Sequence, residues 1–495
     1  MSDVVYSGIY AFLQVARELY FSDIQALGME HIPEHGPIIF AANHPNSIMD
    51  TVLMGTQTHH KIHYLARSGL FSNPLVSAFF KSAGAIPLYR PQDGTDTSQN
   101  ASAFEAAFEA LEHKKVLGIF PEGQNSHQRK LLKLKTGTAR IALGAEARNG
   151  FGLGVKIVPV GMNFLERDAF LSSVLIRFHE PIDVRQWKDA WEQDDREAVR
   201  DLTSCIEASL KDAATHIEDD ISRELSQDII QIAGRELMEH MVDSHEGVQE
   251  VFKTVEPQRP TSARESVMAH VRSIPKGLDH LDERFKFQRY IADIADWARD
   301  EQPRLLRQVV LEVKRYKDHL DQVSLRYDFN ERDPSTLSSR KDALRLSFYA
   351  IAFGPFAAWG FVHNALPYWI TRHIARQASD EAKKAFTALC ASIVLFPLWY
   401  TLMGLGLRYG FGAGALFVGL YLLSLIPAGF FFLRYRHVVA TFRQRVMLRT
   451  IFRTERNLLK ALESERARII DLCAKAVALH EASLETRALE GHEPP

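Results

Sequence analysis

The sequence predicts an α/β domain, with a mostly parallel sheet flanked by helices, followed by an all-α region that ends in membrane-embedded helices. Three observations carry that reading. Between residues 23 and 185, short apolar runs alternate with helical patterns, as in a layered α/β fold. From 186 to about 343 the chain is charged and helical in period, with no convincing strand. Residues 385–407 and 411–433 are then free of Asp, Glu and Lys and, apart from Arg408 between them, of Arg, and each is long enough to cross a bilayer.

In chain order, residues 4–21 form an apolar helical pattern broken by Arg17 and Glu18, which suits an interfacial or packing helix in segment 1–22. Segment 23–185 offers strands at 38–42, 62–66, 85–89, 116–120, 157–160 and 175–178. Helical patterns fall between several of them, at 101–113 and 136–148. In 186–343, amphipathic helices are expected at 192–216, 218–241, 279–299 and 302–325, and residues 328–335 read as a linker. Segment 344–436 is the membrane region, and its first apolar stretch, 347–366, is interrupted by Pro355, His363 and Asn364. Segment 437–495 opens as a basic helix whose arginines suit anionic head groups.

Charge bounds the function. The net charge of -2 gives no global field for nucleic acid, and none is expected as a partner. Cys205, Cys390 and Cys473 lie far apart without metal-ligand spacing, so neither a metal site nor a disulfide is expected. No signal-peptide pattern is read at the N-terminus. Lys and Arg near membrane ends favour the cytoplasmic side. Grouping Arg372, Arg376, Lys383 and Lys384 with the basic tail on that side gives a two-span hairpin of 385–407 and 411–433. The 347–366 stretch then becomes a re-entrant or interfacial segment bending at Pro355. The protein is thus expected to be integral to a membrane, with its catalytic domain cytoplasmic.

The chemistry-bearing stretch is Pro37-Ile-Ile-Phe-Ala-Ala-Asn-His44-Pro-Asn-Ser-Ile-Met-Asp50. A strand delivers His44 at its end, and a turn feeds a helix carrying Asp50. A His held by a carboxylate takes a proton from a hydroxyl. Six residues on one helix diverge by about 240°, so the pair meets only if His44 sits in the turn and the helix starts after it, with Ser47 as N-cap. Ser47-Ile-Met-Asp50 also fits a capping box, which offers Asp50 a purely structural role.

Three further motifs follow. Gly84-Ala-Ile-Pro-Leu-Tyr-Arg90-Pro91 ends a strand on an arginine suited to clamp a phosphate, or simply exposed. Gly118-Ile-Phe-Pro-Glu122-Gly123-Gln-Asn-Ser126-His127 runs a buried strand into a glutamate that must either bind a substrate hydroxyl or pin a loop. Gly123 lets backbone approach a ligand, and Lys135 adds positive charge near a helix start where an anion is welcome. His127 is a candidate second phosphate contact. Ile157-Val-Pro159-Val-Gly-Met-Asn163 is a strand whose proline implies an edge, a bulge or a strand end. His59, His60 and His63 lack a metal partner set, and alternation makes His63 a surface residue. There is no G-x-S-x-G elbow and no P-loop.

Together NHPNSIMD, GAIPLYR, FPEGQNS with LKTGTARIAL, and VPVGMN, in that order, resemble the lysophospholipid and glycerol-3-phosphate acyltransferase family over roughly residues 22–185. The resemblance implies transfer of an acyl chain from a thioester, acyl-CoA or acyl-carrier protein, to glycerol 3-phosphate or 1-acylglycerol 3-phosphate in phospholipid biosynthesis, with no cofactor. It implies His44 as base, Asp50 as its orienting partner, and Arg90, Glu122 and Gly123 as acceptor-binding positions. Lys135 joins them by its charge, and Asn43, Ser126 and His127 are further candidates. Five residues separate His44 from Asp50 where the family usually has four. That spacing looks like the branch with fungal glycerol-3-phosphate acyltransferases and bacterial relatives that carry a long membrane-bound C-terminal half.

Overall fold

The computed structural model describes residues 21–71, 84–89, 100–125, 130–165, 172–254, 281–322, 339–377, 381–454 and 456–489, with isolated positions at 7, 10, 11, 13, 14, 17, 18 and 77. Its contacts divide the chain into two units. One comprises 1–218 with 280–289, the other 219–279 with 290–495. This division falls after Glu218, whereas the boundaries drawn from composition stood at 185, 343 and 436.

The first unit is built on one eight-stranded sheet. Its strands are β1 (Asp23–Leu27), β2 (Ile38–Ala42), β3 (Ile62–Arg67), β4 (Ile86–Leu88), β5 (Val116–Ile119), β6 (Lys156–Phe164), β7 (Ser173–Phe178) and β8 (Ile182–Asp183). The order across the sheet is β1-β7-β6-β2-β5-β3-β4, with β8 also paired to β6. Neighbours are parallel except that β6 runs antiparallel to β7 and β8. Helices α1 (Ile48–Gln57), α2 (Asn100–Glu112), α3 (Gly137–Arg148), α4 (Lys188–Gln193) and α5 (Asp195–Ala213) complete the unit.

Side-chain alternation along β2 sorts the core into two layers. Ile39 and Ala41 pack with Ala107 and Leu111 of α2, Ala142 and Leu143 of α3, and Leu202 and Ile206 of α5. Ile38, Phe40 and Ala42 pack on the other face with Leu53 and Met54 of α1. All five β2 residues are buried, as a central parallel strand requires.

Several expectations are refined. β1 is exposed at both ends, with polar Asp23 and Gln25 on one face, and reads weakly as a strand, yet it pairs in register with β7 along its whole length. Pro159 lies in an internal strand rather than at an edge. Its missing N–H falls where the partner of β6 changes, from β8 at Ile157 to β7 at Val160. His63 is half-buried, not a surface residue. Its Nδ1 hydrogen-bonds Gly84 O at 3.0 Å, and burial lowers the imidazole's affinity for a proton, with Lys115 and Lys61 adding to the effect. Near the N-terminus, Tyr10 Oη donates to Thr58 O (3.3 Å) and Arg17 Nη1 to Thr56 O (2.9 Å), so this segment packs on the end of α1.

The second unit is helical: α6 (Asp220–Thr254), α7 (Leu281–Glu301, of which 290–301 belong here), α8 (Pro303–Gln322), α9 (Ser339–Arg376), α10 (Glu381–Leu405), α11 (Ala415–Thr454) and α12 (Arg456–Leu489). The last helix packs against helices that precede the apolar region. Arg466 donates to Ile232 O and Glu236 on α6, Arg468 to Glu312 on α8, and His319 on α8 to Glu465. The expected linker at 328–335 lies outside the described residues.

Helices α9, α10 and α11 present apolar side chains outward, while Asn364 makes polar contacts between them. Ile351 is 77% exposed, Leu416 79% and Leu423 72%, whereas Asn364 Nδ2 donates inward to Gly360 O and Leu425 O, and its Oδ1 accepts from Tyr400. Within α11, Ala415–Arg436 is long and apolar enough to cross a membrane by length and composition. The 347–366 stretch does not break at Pro355. It is part of a single 38-residue helix, and it runs antiparallel to α11, with Ala350 against Tyr435, Phe353 against Phe431, and Asn364 against Leu425.

Candidate active site

The register of three parallel strands builds the site. Ala42 pairs with Val160, and one residue further on Asn43 Oδ1 accepts from Met162 N (2.7 Å) while its Nδ2 donates to Met162 O (3.1 Å). Asn43 therefore stitches the end of β2 to β6. His44, the next residue, shares the parity of Phe40 and Ala42 and so emerges on the α1 side of the sheet, beyond the carboxyl end of β2.

The turn expected between His44 and Asp50 is present, in an unexpected form. Ser47 precedes α1 but makes no side-chain cap, and its φ of 53° with ψ of -121° is a strained conformation for a non-glycine residue. Asp50 supplies the cap instead, its Oδ2 accepting from Asn46 N at 2.8 Å. The same oxygen accepts from His44 Nδ1 at 2.9 Å. The capping reading and the orienting reading of Asp50 thus hold together in one atom. Because a carboxylate only accepts, Nδ1 carries the proton and Nε2 presents a lone pair. Asp50 is fully buried and the His44 side chain is 16% exposed, and Nε2 makes no hydrogen bond to a described residue.

Glu122 pins two loops. Its Oε1 accepts from His44 N (3.0 Å) and its Oε2 from Leu132 N (3.0 Å). Burial raises its proton affinity above that of an ordinary glutamate, and the two N–H donors offset part of that rise. Of the two roles the sequence left open, the carboxylate's contacts here are those of a loop pin. Gly123 adopts a φ of 68°, and a Cβ there would strike the Lys135 side chain, 2.7 Å from Nζ. Lys135, itself exposed, therefore lies across the turn that carries Glu122, and its N–H donates to Pro121 O (2.9 Å). Arg90, Ser126 and His127 lie outside the described residues. Among the described residues no group of three or more His, Cys, Asp or Glu converges in a way that would hold a metal.

Sequence reading missed the aromatic floor. Phe120 stacks on the His44 imidazole, with centroids 3.8 Å apart and planes 15° apart. Tyr64 lies parallel to Phe120, at 6.3 Å and 7°, and its hydroxyl donates to Thr51 O on α1 (2.8 Å). Pairing of Tyr64 with Gly118 explains the stack, because a Cβ at Gly118 would meet the Tyr64 ring at 2.6 Å. The signal was the shared parity of Gly118 on β5 and Phe120 just beyond its end, which only strand pairing turns into a contact.

Among the described residues, an imidazole oriented by a buried carboxylate at the carboxyl end of a parallel strand is an arrangement suited to taking a proton from a hydroxyl. Residues 23–163 match the family model described as Acyltransferase. The chain is 25% identical to glycerol-3-phosphate O-acyltransferase 1 of Saccharomyces cerevisiae, over 40% of this chain and 38% of the relative. It is 35% identical to glycerol-3-phosphate O-acyltransferase 2 of the same yeast, over 22% and 15%. It is 26% identical to the 1-acyl-sn-glycerol-3-phosphate acyltransferase of Bacillus subtilis, over 24% and 56%. The chain therefore spans less than two thirds of the length of each of these relatives. A crystal structure of the 1-acyl-sn-glycerophosphate acyltransferase PlsC from Thermotoga maritima is similar at 24% identity and a TM-score of 0.31, covering 41% of this chain and 78% of that one.

Proposed function

We propose that the chain is a membrane-bound O-acyltransferase that moves a fatty acyl group from a thioester, acyl-CoA or acyl-carrier protein, to glycerol 3-phosphate or 1-acylglycerol 3-phosphate. The observation that carries this is the His44 Nδ1 to Asp50 Oδ2 bond of 2.9 Å, which turns the Nε2 lone pair outward. In the reaction, Nε2 takes the proton of the acceptor hydroxyl as that oxygen attacks the thioester carbonyl. Asp50 holds the tautomer and offsets the charge on the imidazolium. The C–S bond breaks, and the imidazolium returns its proton to the departing thiolate. Glu122 keeps the backbone of His44 in place. Arg90 and Lys135 hold the acceptor phosphate, with Gly123 giving it room, and Ser126 and His127 stand as further contacts.

The membrane assignment rests on the outward apolar faces of α9 and α11. We place the catalytic domain in the cytoplasm, following the basic tail. The test is purified full-length protein in detergent, offered labelled glycerol 3-phosphate and labelled lysophosphatidate with each donor. Labelled acyl ester is expected from at least one pair. Turnover only with a non-phosphorylated alcohol would contradict the acceptor class.

A further inference from the structure

Resting on His44 as the base, we propose that Phe120 is a positioning residue whose ring face stabilises the imidazolium that forms on His44 during acyl transfer. The geometry is that of a face-to-face contact, 3.8 Å between centroids and 15° between planes. Phe120 covers one face of the ring while Asp50 holds its edge, so the imidazole is fixed in plane and in rotation. The electron-rich face of a phenyl ring attracts a cation laid against it. Before proton transfer the imidazole is neutral and gains little from that attraction. After transfer it is charged, so the contact strengthens as the barrier is crossed, which is what accelerates a step.

The rest of the stack keeps Phe120 in place. Tyr64 lies parallel to the phenyl ring and is itself tied to α1, the helix that carries Asp50, through Thr51 O. Gly118 is the gap on β5 into which the Tyr64 ring fits. The charged groups near His44 among the described residues are Asp50 on α1, Glu122 on the turn after β5, and Lys135 across Gly123. β6 contributes the backbone N–H and C=O of Met162 to the Asn43 contact. Replacing Phe120 leaves all of these charges where they are.

The test uses full-length protein and single-turnover rates across pH. In Phe120→Leu, apolar bulk stays and the ring face goes. The acyl-transfer rate at neutral pH should fall about three- to thirty-fold, while KM for either substrate changes less than about twofold. A base left without its cation-stabilising face is also weaker, so the acidic limb of the rate profile should move to lower pH. Phe120→Tyr should restore both rate and limb. Trifluorophenylalanine at position 120 keeps the shape and weakens the ring face, so it should reproduce the leucine effect in a protein that folds as before. A rate loss with an unmoved acidic limb, or failure of Tyr to rescue, would overturn the proposal and leave Phe120 as packing. If instead His44→Ala keeps its turnover, the assignment of the base fails, and that result is distinct from any seen at Phe120.

Discussion

At the scale of single residues, the account turns on what Asp50 and Glu122 do for His44. Asp50 accepts both from the His44 imidazole and from Asn46 N. Asp50→Asn keeps the volume but presents an N–H donor to one of them. The transfer rate should fall by about four orders of magnitude, as in the comparable His–Asp pair of serine proteases, and a single-turnover assay measures it. Glu122 bears on stability. Its folded proton affinity is raised, chiefly by burial. The folded protein therefore takes up this proton before the unfolded chain does, and stability falls as pH rises from the ordinary glutamate range through the folded value. Melting temperature against pH should show that slope in the wild type and lack it in Glu122→Gln. At neutral pH the variant should also lose about 1–3 kcal/mol, because an amide cannot accept from both N–H groups. An unchanged slope would assign it to another group. His44, Asp50 and Glu122 were legible because their residue types and spacing carry the chemistry. Phe120 was not, since a phenylalanine ending a strand looks like core until β2 and β5 are paired. The strain at Ser47 was equally hidden, because serine before a helix ordinarily signals a cap.

At the scale of elements, the alternation of apolar runs with helical periods located most of the sheet, and the errors have local causes. β8 is two residues long, and β1 is a five-residue strand with exposed ends, so neither yields a strong periodic signal. Pro159 pointed to an edge because proline cannot complete a ladder, but a strand that exchanges partners offers the same tolerance inside a sheet. Periodicity also does not tell which helices pair. The α9 and α11 contact depends on Gly360, where a Cβ would lie 1.9 Å from Ala428 O. Backbone, not a flexible side chain, sits there. Gly360→Leu should therefore separate the two helices and cost more than the roughly 1–3 kcal/mol of ordinary overpacking. Thermal aggregation of the detergent-solubilised variant measures this, and a wild-type profile would show that the close approach is dispensable.

At the scale of the whole molecule, the helices around the apolar region bear on the proposed topology. Packing of α12 on α6 and α8 holds together the chain before and after that region, so an even number of crossings is expected. We propose that α9 and α11, which run antiparallel side by side, are the crossing pair and that α10 does not traverse. The hairpin expected from charge, which pairs α10 with α11, stands as the alternative. Packed helices fix relative depth residue by residue, whereas the charge rule is a bias. Cysteines introduced at Gln377 and Tyr409 should react with an impermeant reagent outside intact cells, and one at Ala467 should not. Native Cys473 will not compete, because burial pushes its thiol up to about 12. Silence at Gln377 would restore the alternative, and labelling at Ala467 would contradict both arrangements. The central claim, acyl transfer from the His44–Asp50 pair, is tested most directly by His44→Ala in the full-length protein. The account predicts wild-type folding and membrane insertion with no detectable acyl ester from any donor and acceptor pair. Turnover close to wild type in that variant would contradict it.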